Sequence, residues 1–202
     1  MQNFLISFKR IIKPDLFYFE DYLQGKILNY GCGFRKNKKH IGVDINNKSM
    51  ADFIIKKDRP LPFKSNEFDI VISRFVFEHI EDLDSVLNEI SRVLKKDGRL
   101  VFCVPHVWSV DAFDDPTHKS FYTLRTMNFY CSSNNTNVLY KKNYFKYVKC
   151  HLRVTLSWPN ISIIRIPISL ILSILSFLAP KFSEYLLKLP FLTGVIYFEL
   201  SK

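Results

Sequence analysis

The chain has 202 residues, 48% hydrophobic and 24% charged, which suits one domain with an appendage and excludes a disordered chain. Its net charge of +10 is uneven: residues 1–118 carry 18 Lys and Arg against 17 Asp and Glu, while residues 119–202 carry 11 against 2. The positive field therefore belongs to the C-terminal part and points there to an anionic partner: phospholipid, nucleic acid or an acidic glycan.

The N-terminus, MQNFLISFKRIIKPD, has neither a leading basic stretch nor a long apolar core, so no secretory signal is expected. Phe4, Leu5, Phe8, Ile11 and Ile12 fall at helical spacing, so residues 1–24 are expected to form a helical leader. The cysteines at 32, 103, 131 and 150 show no CxxC and no metal-ligand spacing; free thiols of a cytoplasmic, reducing compartment are expected, and no metal ligands.

Strands are expected at KILNY and HIGVDI, and a short one at ADFIIK; RPLPFKSNEFD reads as a loop because Pro60 and Pro62 exclude a helix. FDIVISRF is a buried strand of a parallel sheet. DLDSVLNEISRVLKKDG is the clearest helix, with Leu83, Val86, Leu87, Ile90, Val93 and Leu94 on one face, acidic residues leading, lysines trailing and Gly98 as its expected C-cap. RLVFCVP is the next buried strand. VKCHLRVTLSW alternates, with Val148, Cys150, Leu152, Val154, Leu156 and Trp158 on one side, and VIYFELS is a last strand. Alternating strands and helices imply an α/β fold with a mainly parallel sheet.

In ILNYGCGFRKNKKHIGVDI, one strand ends in Gly-Cys-Gly and the next ends in Asp44. Glycines after a strand let a ligand approach bare backbone N–H groups, and a carboxylate ending the neighbouring strand can accept from both hydroxyls of a ribose. Gly31, Gly33 and Asp44 thus describe a pocket for a nucleoside-bearing cofactor. A dinucleotide oxidoreductase would need GxGxxG opening a full helix, and the seven residues between Gly33 and Ile41 leave no room for one.

In order, ILNYGCG, IGVDI, LPFKSNEFDIVISRFVFEHI, LNEISRVLKKDGRLVFCVP and DDPTHKSFYT resemble the class I S-adenosylmethionine-dependent methyltransferases of the type 11-like kind, over about residues 25–130 and again in the last strand. The resemblance is to a bacterial branch with a short first crossover and an Asp-Pro-Thr-His segment. It implies an α/β, Rossmann-like three-layer sandwich with a mainly parallel seven-stranded sheet, an antiparallel last strand and, here, a hydrophobic helical cap. It implies S-adenosyl-L-methionine as cofactor, with Gly31 and Gly33 flanking its methionine part, Asn29 reaching the amino group, Asp44 on the ribose, Ile45 on the adenine, Asp58 on its exocyclic amine and Arg74 along the edge. Two positions depart from the pattern: Arg35 replaces the third glycine, and Asn29 replaces the usual acidic residue. With the first helix reduced, Arg35, Lys36, Lys38 or Lys39 would supply positive charge for the methionine carboxylate.

Methyl transfer from a sulfonium is an in-line displacement, so the protein chiefly aligns the groups; a hydroxyl or amine acceptor also calls for a base. The candidates follow the fifth core strand: His118 first, His106 second, and Asp115 in the same loop. An alternative for Asp-Pro-Thr-His is a loop locked by side-chain to backbone hydrogen bonds, and His79 reads as organising a helix start. Trp108, Phe113, Phe121 and Tyr122 would wall an acceptor pocket or belong to the core.

Residues 159–192 are expected to be an apolar helical insert within a methyltransferase domain spanning 25–202. Between Pro167 and Pro180 lie twelve uncharged residues, with Ser169, Ser173 and Ser176 forming one thin stripe. A membrane span needs about 20 apolar residues; Arg165 and Pro167 shorten this one, leaving a buried cap, a homodimer interface or an interfacial helix. Apolar area with basic flanks favours an anionic membrane surface. The expected activity is methyl transfer to a small-molecule or lipid-linked, cell-surface saccharide, at the inner face of the membrane; RNA or tRNA methylation and a non-catalytic docking protein are the alternatives.

Overall fold

The computed structural model describes residues 19, 23–57, 59–133, 142–156, 162–189 and 192–202. The expected leader lies outside them except for Phe19, Leu23 and Gln24, as do Asp58 and Trp158.

Among the described residues seven strands form one sheet: β1 (Ile27–Tyr30), β2 (Ile41–Asp44), β3 (Phe53–Ile54), β4 (Phe68–Arg74), β5 (Leu94–Pro105), β6 (Tyr147–Leu156) and β7 (Leu192–Ser201), in the order β3-β2-β1-β4-β5-β7-β6. Strands β1 to β5 run parallel, with Tyr30 beside Val43 and Asn29 beside Ile72. Strand β7 is antiparallel to both β5 and β6. The order reverses between β1 and β4, and ligands of open α/β sheets lie outside the carboxyl ends of strands at such a point. The expected α/β, Rossmann-like sandwich with its antiparallel last strand is borne out.

Core packs on both faces of the sheet. Leu28, Val43, Val71, Leu100 and Phe102 meet Leu83, Leu87, Ile90 and Val93 of helix α1 (Leu83–Val93) on one side. Ile27, Ile70, Ile72, Val101 and Cys103 join Phe19 and Tyr197 on the other. Asp82 caps α1 by accepting from the Ser85 N–H at 3.0 Å. The helix ends earlier than its lysines and glycine suggest. Leu94 turns extended (φ −70°, ψ 137°) because it is needed in the core and pairs with Phe68, and Asp97 rather than Gly98 takes the positive φ of 63°.

Helix α2 (Ser162–Leu178) and helix α3 (Pro180–Leu186) fall between β6 and β7. Pro167 does not stop α2, which runs through it with the loss of one backbone donor. The serine stripe faces inward: Ser173 and Ser176 are buried and donate to the carbonyls of Ser169 (2.7 Å) and Ser173 (2.9 Å) of their own helix. Ile171, Ile174, Phe177 and Leu178 are left partly or largely exposed, Leu178 at 74%. On β6, Leu152 and Val154 enter the core as the alternation predicts, but Cys150 is exposed and His151 is buried against Tyr197 and Phe177.

Candidate active site

The first bend builds the cofactor end. After β1 the chain turns through Gly31 (φ 70°) and Gly33 (φ 52°), a backbone region that other residues enter at a cost of about 1–2 kcal/mol. The N–H groups of Gly31 and Cys32 both donate to the Val43 carbonyl, at 2.9 and 3.1 Å, which ties the bend to the end of β2. The Gly33 N–H donates to Asp44 Oδ2 at 2.8 Å, and the Asn46 N–H to Asp44 Oδ1 at 2.8 Å. The carboxylate is thus turned toward the glycines and fixed by backbone on both oxygens, each of which keeps a further lone pair. Its charge, added to burial, pushes the Tyr30 hydroxyl up to about 12, and burial followed by the same charge raises the Cys32 thiol.

The two glycines have different reasons to be glycine. A Cβ at Gly31 would come within 2.4 Å of Val76 Cγ2, whereas a Cβ at Gly33 would meet nothing within 4 Å. Gly33 therefore borders open space, beside the Asp44 carboxylate and the 68% exposed Ile45. Bare backbone, a fixed anion and an exposed aliphatic face in one place fit a nucleoside bearing an amino-acid tail: the residues present suit S-adenosylmethionine.

No helix forms between Gly33 and Ile41, as the spacing requires. Lys36 is committed to the crossover, its Nζ 2.6 Å from both Asp52 oxygens while Asp52 also accepts from the Gly42 N–H at 2.6 Å. Arg35, Lys38 and Lys39 remain exposed. Asn29 is buried in β1, and the Arg74 guanidinium lies 4.6 Å from the Phe19 ring, on the sheet face away from α1.

Beyond the ends of β4 and β5 lies an open cavity of about 700 Å³, bordered by Phe75, Glu78, His79, Asp111, Asp114 and His118, with Asp115 in the same rim. Asp115 Oδ1 accepts from the Thr117 N–H (2.8 Å) and from its hydroxyl (2.6 Å), which with the charges of His79 and His118 lowers its pKa. Asp115 is thus the lock of its loop, the second of the two readings of Asp-Pro-Thr-His. His118 is held by its Nδ1–H, donated to the Ala112 carbonyl at 2.9 Å, so any contact with an acceptor falls to Nε2.

His79 stands in a single 3-10 turn, Phe77–His79, with its ring 4.7 Å from that of His118. The sequence suggested only a turn-organising role, yet its side chain lines the cavity. The residue that sequence reasoning passed over is Glu78. It is 2% exposed, its Oε2 has no hydrogen-bond partner among the described residues, and burial with the nearby Asp115 charge raises its pKa to about 8.

His106 corrects an expectation. It is fully buried; the Trp108 N–H donates to its Nδ1 at 3.1 Å, so Nε2 carries the proton given to Glu184 Oε1 at 2.9 Å. With both nitrogens engaged it has no lone pair for an acceptor, and it instead fastens α3 to the end of β5. Of the four aromatics, Tyr122 is core, its hydroxyl donating to the Phe77 carbonyl at 3.0 Å. Trp108, Phe113 and Phe121 are exposed, the last two stacked at 5.0 Å.

Residues 27–102 match the family model described as a methyltransferase domain. An uncharacterized protein of Methanocaldococcus jannaschii is 36% identical over 98 residues, covering 43% of each chain. The chain spans less than half the length of the first curated relatives it matches. Among solved structures, a SAM-dependent methyltransferase from Archaeoglobus fulgidus aligns over all of this chain and 95% of its own, with TM-score 0.57 and 18% identity, a likeness of fold. Phosphoethanolamine N-methyltransferase 2 of Haemonchus contortus, solved with S-adenosyl-L-methionine, aligns over all of this chain and 52% of its own, with TM-score 0.52 and 16% identity. The fold is that of the solved S-adenosylmethionine-dependent methyltransferases, and residues 27–102 carry the match to a methyltransferase domain.

Proposed function

We propose that this chain transfers a methyl group from S-adenosylmethionine to a small-molecule or lipid-linked saccharide acceptor at the inner face of a membrane. The observation that carries the transfer is the Gly33 N–H on Asp44 at the carboxyl ends of β1 and β2, with open space above. Asp44 holds the ribose, Ile45 packs on the adenine and the glycine bend admits the methionine part. Methyl transfer neutralises the sulfonium, so alignment of acceptor, methyl carbon and sulfur is the main demand on the protein. His118 Nε2 takes the acceptor proton or holds the acceptor.

The acceptor side favours a hydroxyl-rich molecule over nucleic acid. Asp111, Asp114 and Asp115 on the cavity rim accept from hydroxyls and repel phosphate, and the exposed faces of Phe113 and Trp108 suit the apolar faces of sugar rings. Membrane contact is supported by α2, which buries its serines and exposes Ile171 and Leu178, and by the exposed Phe182 and Tyr185 of α3 beside Lys181 and Lys188. Lys188 lies 5.3 Å from the Trp108 ring, which links this face to the acceptor side. Among the described residues no helix is long and apolar enough to cross a membrane.

The test is incubation with methyl-labelled S-adenosylmethionine and either a total lipid extract or total RNA. Label in the saccharide-bearing lipid fraction, absent with Asp44→Asn, is the expected result. Label in RNA alone would establish the second activity, and no label in either fraction despite cofactor binding would support a docking protein.

A further inference from the structure

The acceptor cavity holds an arrangement that the proposed transfer does not require. Glu78, His79 and His118 each offer one ligand atom, and these atoms lie within 4.8 Å of one another. The hydrogen bonds around them engage one nitrogen of each imidazole. The Thr117 hydroxyl sits 2.6 Å from Asp115 Oδ1, which can only accept, so its hydrogen is committed there. Its oxygen, 2.9 Å from His79 Nδ1, must then accept from that nitrogen. His118 Nδ1 likewise donates to the Ala112 carbonyl. Each ring thus gives its Nδ1–H to an oxygen, as metal-bound histidines do with the nitrogen that does not face the metal, and Nε2 remains as the ligand atom it can offer.

Glu78 supplies an independent observation. Its Oε2 is buried at the cavity wall and has no hydrogen-bond partner among the described residues, a costly state for a polar atom. The three rim aspartates add a negative field that attracts cations into the same space.

We propose that Glu78, His79 and His118 form a binding site for one divalent cation of the Zn²⁺ or Mn²⁺ type, on the acceptor side of the cavity. Two nitrogens and one carboxylate oxygen are a borderline donor set, better suited to these ions than to Ca²⁺ or Mg²⁺. Metal–ligand bonds of about 2.0–2.1 Å place ligand atoms roughly 3.4 Å apart in a tetrahedral site, so side-chain rotations of about an ångström close the cluster. Three protein ligands leave a position facing the cavity for an oxygen of the acceptor, so that His118 holds the acceptor through the ion rather than taking its proton; this last role alone rests on the proposed transfer.

The experiment is calorimetric titration of the metal-stripped chain with Zn²⁺ and with Mn²⁺, without acceptor, beside a separate titration with S-adenosylmethionine. One ion per chain is expected, weakened at least tenfold in both Glu78→Gln and His118→Ala while their S-adenosylmethionine affinity stays unchanged. Should Glu78→Gln fail to fold, His79→Asn, at an exposed residue, replaces it. Absence of stoichiometric binding overturns the site, as does binding that survives in the variants, which would move the ion to the exposed Cys150 or elsewhere. Failure of S-adenosylmethionine to bind while the metal does would count against the transfer and not against the site.

Discussion

The Gly33 N–H donates to Asp44 Oδ2 across 2.8 Å, joining the bend after β1 to the carboxylate that ends β2. One hydrogen bond thereby sets the distance between the two features a nucleoside cofactor needs. Because a Cβ at position 33 would meet nothing within 4 Å, Gly33→Ala should cost little more than the positive-φ strain, about 1–2 kcal/mol. Cofactor affinity should fall far more, by at least tenfold. Thermal unfolding and S-adenosylmethionine titration of the same sample separate the two effects.

Gly31→Ala should behave oppositely. The new methyl would press within 2.4 Å of Val76 Cγ2, so the loss should appear first in stability, about 2–3 kcal/mol from overlap and positive φ combined. Val76→Ala in the same chain should restore part of that loss, since it removes the colliding group. Denaturant unfolding of the two single variants and the double variant measures the coupling.

His106 predicts a pH dependence of stability. Burial lowers its folded pKa, against the opposing influence of Glu184, the ionisable group that faces it from α3. A histidine whose folded pKa lies below the unfolded value of about 6.5 binds fewer protons when folded. Its contribution is complete above pH 6.5 and is lost as the pH falls through 6.5 toward the folded value. His106→Gln should lower stability at pH 7.5 and flatten the decline between pH 6.5 and 5. Denaturant midpoints across that range check both.

Helix α2 has an inverted polarity, with Ser173 and Ser176 inward and Ile171 and Leu178 outward. Substituting exposed side chains usually changes stability by no more than about 0.5 kcal/mol. Ile171→Asp with Leu178→Asp should therefore leave the melting temperature nearly unchanged and reduce co-sedimentation with phosphatidylglycerol vesicles severalfold at low salt. Equal sedimentation of the two proteins would remove the membrane reading. A shift of the wild type from dimer to monomer on substitution would assign the face to a second copy of the chain.

Much of the geometry around Gly33 and Asp44 is legible in the sequence because it is local. The glycine bend, the short crossover and Asp44 lie within fifteen residues, and strand periodicity alone sets their order. The acceptor side is assembled from distant segments. His106 looked available because nothing near it in the chain announces Glu184, 78 positions away. Glu78 and His79 were hidden inside FEHIEDLD, whose pattern reads as a helix start, and only the fold brings them against His118. The end of α1 was misplaced for a related reason: Gly98 is a sound local stop signal, but the demand for Leu94 beside Phe68 ends the helix earlier.

Titration of the wild-type chain and Asp44→Asn with S-adenosylmethionine tests the cofactor site most directly. Micromolar one-to-one binding by the wild type, weakened at least tenfold in a folded Asp44→Asn, is the predicted result. Equal binding by the two proteins, or none by the wild type, would contradict it.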